Sequence, residues 1–155
     1  WEAHDDVHGG ALPPELVRAA RKKEIQFLKD RKVYSLSTTA EAFRLTRRPP
    51  LRLKWIDTNK GDLANPKIRS RLVGKEFRTG PDDALYASTP PLEALRLIVS
   101  KAATYIEGEP TNEIIVNDVS RAYFYAKCSR CLYVELPRED PDYHPDYLGR
   151  LRLCL

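Results

Sequence analysis

Residues 114–124 read IIVNDVSRAYF. The first half of this stretch, with Glu113 before it, is short, β-branched and apolar on both sides, which predicts a buried central strand over Glu113–Asn117. Asp118 falls at the strand's end, where a rigid element meets solvent and sites in sheet proteins commonly form. A carboxylate beside free backbone carbonyls offers hard oxygen ligands that suit Mg²⁺. The same carboxylate is also placed to cap a short helix over 119–126, as aspartate often does at such a junction.

Working outward, Leu132–Leu136 is a further strand candidate, followed by an acidic, proline-rich connection over 137–145. Alternation resumes over Gly149–Leu155. Upstream, Thr89-Pro90-Pro91 opens a helix, with Thr89 as cap and a buried stripe of Leu92, Leu95, Ile98, Val99, Ala102 and Ile106. Leu51–Thr58 and Ile68–Phe77 alternate apolar and charged residues across the turn Asn59-Lys60-Gly61-Asp62. They predict an antiparallel hairpin with one positively charged face. Gly80-Pro81-Asp82-Asp83 turns the chain again.

Val33–Leu36 is a short strand, and Ser37–Pro50 reads as a polar connection. Pro13 and Pro14 open a helix that ends near Asp30, its apolar stripe being Leu16, Ala19, Ala20, Phe27 and Leu28. Residues 1–12 read as a loose tail set off by Gly9-Gly10. The expectation is an α+β chain with one domain over 13–155, divided into a helix-and-hairpin half (13–87) and a sheet half (88–155).

Charged residues form 31% of the chain and hydrophobic ones 42%, which excludes a disordered composition. No apolar run reaches about 18 residues, so no membrane-spanning helix is expected. The acidic start WEAHDDVHGG is no signal peptide. Three cysteines, an odd number, fit free thiols in a reducing intracellular compartment, cytoplasmic or nuclear. Methionine is absent even at position 1, and the expectation is a piece of a longer protein. Between Arg44 and Arg78 eleven Lys and Arg face three acids, a local charge of +8 within a chain of net +4. Such a block suits a polyanion, nucleic acid or nucleotide phosphates, or else a solvated basic surface.

Several segments resemble, in order, the reverse transcriptase of copia-type retrotransposons. Asp118-Val119-Ser120-Arg121-Ala122-Tyr123-Phe124 is similar to the family's D-V-x-x-A-[FY]-[FL] motif. Leu53-Lys54-Trp55-Ile56 with Lys60-Gly61 resembles its K-W-x-x-x-x-K-x-x-G stretch at shorter spacing. Lys67-Ile68-Arg69-Ser70-Arg71-Leu72-Val73-Gly74-Lys75-Glu76-Phe77 resembles K-A-R-L-V-x-K-G-F. Thr89-Pro90 with Leu95-Arg96-Leu97-Ile98 resembles T-F-x-P-V and I-R-x-L-L, and Leu132–Pro137 resembles V-Y-M-x-x-P. Gly149–Leu155 resembles the approach to L-Y-G-L-K.

The resemblance implies a fingers hairpin and a partial palm: an antiparallel sheet with helices on one face, a truncated right-hand polymerase fold. It implies an RNA-directed DNA polymerase, a nucleotidyltransferase, working on an RNA template, a DNA primer and dNTP within a larger Pol polyprotein. Asp118 and the Val119 carbonyl would hold Mg²⁺ in a two-ion site. Arg71, with Lys54 and Lys60, would contact the nucleotide. Tyr123 would be the steric gate at the sugar, with Phe124 beside it. Arg69, Lys75 and Arg78 would contact nucleic acid.

The chain departs from the pattern in two ways. A Y-x-D-D hairpin carrying the other carboxylates is not present, so the expectation is no polymerase activity by these residues alone. Glu76 replaces the glycine of K-G-F, at a position expected to be exposed, and Ser120-Arg121 reads as unremarkable variation. Cys128-x-x-Cys131 with His144 and Cys154 hints at zinc, but a second tight ligand pair is lacking. A nucleic-acid-binding relic without chemistry and a plain basic domain are the competing readings.

Overall fold

The computed structural model describes residues 2–76, 89–105, 107–108 and 112–155. The chain is α+β and divides into two compact units, residues 1–77 with 121–155, and residues 78–120.

In the larger unit, helix α1 (Pro14–Asp30) starts at a proline in its first turn and ends where Arg31 and Lys32 leave the helix, Lys32 with positive φ. Its buried stripe is Val17, Glu24, Ile25 and Leu28. The expected stripe is thus rotated: Leu16 and Ala19 are exposed, because Val17 and Ile25 with Leu28 keep the tighter helical spacing. Strand β3 (Tyr34–Thr38) follows the helix directly.

The expected polar connection after it contains helix α2 (Thr39–Thr46). Thr38 caps it by accepting from the Glu41 amide at 3.2 Å. The Thr-x-x-Glu spacing is the local signal for that start. Strands β4 (Leu53–Asn59) and β5 (Ile68–Gly74) pair as the expected antiparallel hairpin, from Leu53 opposite Gly74 to Asn59 opposite Ile68. Strands β6 (Tyr133–Glu135) and β7 (Tyr147–Leu151) join β3 in an antiparallel sheet of order β3-β7-β6.

That sheet is covered on both faces, not on one. Leu151 and Val134 pack with Leu28 of α1, Val33, Leu72 and Phe124. Tyr133 and Leu148 pack instead with Ala42 of α2. Leu148 and Leu151 are three apart, so alternation along the strand sends them to opposite sides, and both sides are apolar. A parallel bridge between Leu51 and Val134 stitches the hairpin to this sheet.

The first twelve residues are not a loose tail. Ala3–His4 (β1) pairs with Ala11–Leu12 (β2), and Ala3 and Leu12 are buried with Val17. Two carboxylates fasten this ribbon. Asp5 accepts from the amides of Val7, His8 and Asn59, and Asp6 accepts from the Asp57 amide at 2.9 Å. The amides of His8 and Asn59 hold the Asp5 carboxyl well below the usual carboxylate range, despite its burial. A depressed folded value contributes stability above the unfolded pKa, about 4, that is lost as pH falls further. Asp5→Asn is therefore expected to melt lower at neutral pH and to lose less stability than the parent below about pH 4. Parallel melting curves for the two proteins from neutral to acid pH would overturn this.

In the smaller unit, helix α3 (Leu92–Ala103) starts after Pro91, which makes no side-chain cap contact, so Thr89 does not cap it. None of its residues is buried. The expected buried stripe is solvent-facing at Leu92, Leu95, Ile98 and Val99; Ile106 lies outside the described residues. The expected strand over 113–117 is irregular, with Ile115 77% and Val116 89% exposed. A strand needs a neighbour to receive its amides and carbonyls. No described strand pairs with this segment. The turn expected at Gly80–Asp83 lies outside the described residues.

Candidate nucleic-acid interface

The hairpin turn is wound around Asn59. Its Oδ1 accepts from the Gly61 amide at 2.9 Å and the Lys67 amide at 2.8 Å. Gly61 is required there, since a Cβ would fall 2.1 Å from the Asn65 carbonyl oxygen. The register set by this turn sorts the side chains. Leu53, Trp55 and Asp57 of β4 lie opposite Gly74, Leu72 and Ser70 and share the face toward α1. The other face carries Lys54 opposite Val73, Ile56 opposite Arg71 and Thr58 opposite Arg69. A bond from the Lys75 amide to the Arg52 carbonyl at 2.8 Å continues the pairing by one step. Arg52, Lys54, Arg69, Arg71 and Lys75 thus lie on one face, as strand alternation requires.

Their charges are not equally free. The Lys54 ammonium is held by Asp6 at 2.8 Å. Arg69, Arg71 and Lys75 are exposed and make no side-chain hydrogen bond or ion pair among the described residues. Lys60, in the turn, is exposed, and among the described residues only its amide is engaged, with the Lys67 carbonyl. Arg78 lies outside the described residues.

The opposite face is fastened by Asp57, which is buried. It accepts from the Ser70 hydroxyl at 2.6 Å and from Arg21 Nη2 of α1 at 2.6 Å. Arg21 also reaches Glu139 and lies 5.1 Å from the Trp55 ring centroid. Helix α1 therefore holds the hairpin by a buried charge pair and leaves the cationic face to solvent.

The residues after Asp118 divide sharply. Phe124 is core, packed edge-on against Phe27 at 5.5 Å, whereas Tyr123 is 77% exposed. The expected helix over 119–126 is a single 3₁₀ turn, Ala122–Tyr125, headed by Arg121 rather than capped by Asp118. Arg121 is not unremarkable variation. It has φ +55°, bonds Glu24 at 2.7 Å and sets its guanidinium 3.8 Å from the Phe27 ring centroid. Glu24 is buried, and that burial pushes its carboxyl up despite the nearby charges of Arg121, Arg69 and Arg71. An acidic residue on an apolar helix stripe was the available signal for a buried ion pair.

Asp118 and Val119 lie in the smaller unit, both exposed. Among the described residues no three His, Cys, Asp or Glu side chains gather to hold a metal ion. Cys128, Cys131 and Cys154 are free thiols. Glu76 is exposed, as expected, and receives both Arg130 nitrogens at 2.8 Å. No helix among the described residues is long and apolar enough to cross a membrane. No known protein family, curated protein or solved structure matches the chain.

Proposed function

We propose that this chain is a portion of a copia-type RNA-directed DNA polymerase whose hairpin binds nucleic acid and nucleotide phosphates. The observation that carries the reading is the hairpin register, which puts Arg52, Lys54, Arg69, Arg71 and Lys75 on one side. The ordered resemblance of the flanking segments is its second support. Arg71 brings a planar fork that donates two parallel hydrogen bonds to a phosphate. Arg69 and Lys75 follow the strand of a template or primer, and Tyr123, exposed beside its buried neighbour Phe124, is available to a sugar. Asp118, with the Val119 carbonyl, contributes to holding Mg²⁺, which when bound stabilises the entering and leaving oxygens of nucleotidyl transfer. One carboxylate does not hold two ions, so these residues alone are expected to be inactive.

The test is a pair of measurements on a primer–template. Binding should weaken steeply with salt, because released counterions drive it, and no Mg²⁺-dependent extension should appear. Salt-independent binding would sink the nucleic-acid reading, and extension would sink the claim of inactivity. The second reading, a nucleic-acid binder without chemistry, is favoured by one fact. The cationic face is complete within the larger unit and needs nothing from Asp118.

A further inference from the structure

We infer that the cationic face ends, at Arg52 and Lys75, in a groove that takes a nucleoside phosphate. The groove is open to solvent along about half of its boundary and measures about 990 Å³, near the upper end of small-ligand sites, about 300–1,000 Å³. It lies among the end of α2, the segment leading into β4, the residues after β5 and the approach to β6. Backbone bonds brace these walls. The Leu51 amide donates to Tyr133 at 2.7 Å, the Glu135 amide to Leu51 at 3.1 Å and the Lys75 amide to Arg52 at 2.8 Å. Arg47, with φ +49°, ends α2, and Thr46 Oγ1 accepts from the Arg48 amide at 3.2 Å, which directs the chain along the rim.

The charges in the groove do not cancel. Glu76 is taken up by Arg130 through both nitrogens. Arg48, Arg52 and Lys75 line the same groove and have no side-chain partner among the described residues. Beside them stand Pro49, Pro50, Leu51 and Leu132, an apolar surface for a planar body. Tyr133 also lines the groove, with its side chain buried against Ala42 and Leu148. Arginine forks match phosphate oxygens, and the prolines and leucines match a base. An acidic peptide satisfies the charges but makes less use of the apolar floor. The inference stands on the groove's own residues and does not rest on the polymerase reading.

The experiment uses a fluorescent ADP analogue, read by anisotropy, with the full chain. Arg48→Glu changes the groove, and Lys22→Glu makes the same charge reversal on the exposed side of α1, away from both the groove and the strand face. ADP should bind saturably, about tenfold or more weaker in Arg48→Glu and within about twofold of the parent in Lys22→Glu. On the unmutated chain, ADP should slow iodoacetamide alkylation of Cys131, an exposed thiol lining the groove. That readout needs no variant to fold. A single-stranded oligonucleotide that displaces ADP identifies a nucleotide within a strand as the source of the phosphate. One that leaves ADP bound identifies a free nucleotide. Absence of saturable binding up to about 1 mM, equal losses in the two variants, or better protection of Cys131 by polyglutamate than by ADP would each overturn the inference.

Discussion

Reversing both arginines of the outer strand face, Arg69→Glu with Arg71→Glu, should weaken binding of a single-stranded oligonucleotide about a hundredfold in low salt, roughly 2.7 kcal/mol. Each phosphate contact on a single strand contributes about 0.7 to the slope of log affinity against log salt. Losing two contacts should therefore flatten the slope by about 1.4, and the new carboxylates add repulsion. The fold should survive, because both side chains are exposed and the packed face holds Leu72, Ser70 and Ile68 instead. One coupling is expected: Glu24 loses two favourable charges, so a small drop in melting temperature should accompany the change. Lys54→Glu is the internal comparison. Its ammonium already faces Asp6, so its reversal should change binding less than either arginine. Titrations at several salt concentrations decide the matter. Unchanged affinity and slope in the double variant would remove the hairpin from the interface.

The hairpin was legible because it is a local structure. The alternation on either side of Asn59 and Gly61 states the hairpin and its charged face, although the strands are joined by a loop over 60–67 and not by a tight turn at 59–62. Helix α1 was legible for a similar reason, with Pro14 at its start. The missed elements were of two kinds. Helix α2 is eight residues long and announces itself mainly by its Thr38–Glu41 cap. The ribbon over residues 3–12 is held by Asp5 and Asp6 against β4, more than fifty residues away, and no local pattern reports such a contact.

The segment 113–117 failed in the opposite direction. Its composition is that of a buried strand, but burial is a property of neighbours, and Ile115 and Val116 face solvent. The candidate site divides along the same line. The positions of Arg69, Arg71 and Lys75 followed from alternation, and the role of Arg121 in pinning the Ala122–Tyr125 turn to α1 did not. Nor did the groove, whose walls come from three stretches distant in sequence.

Removing Arg21 should cost the molecule several kcal/mol of stability. Asp57 is buried, and Arg21→Met takes away its main countercharge, leaving the Ser70 hydroxyl and the Asp6-bound backbone around it. Breaking one side of a buried pair costs about 3–5 kcal/mol, chiefly because the remaining charge is stranded. For a chain of this size that corresponds to a melting temperature lower by roughly 10 °C. Methionine keeps much of the packing over Trp55, so the ion pair and not the stacking is what the variant tests. Adding Asp57→Asn to Arg21→Met should restore part of the loss, since the stranded charge is then gone. Because Asp57 and Ser70 are directly paired across β4 and β5, beside Arg69 and Arg71, the single variant should also loosen the cationic face. Its oligonucleotide affinity should fall although no outward charge has changed. A double variant no more stable than Arg21→Met would place the stabilisation in the Arg21 contacts with Trp55 and Glu139 rather than in the bond to Asp57.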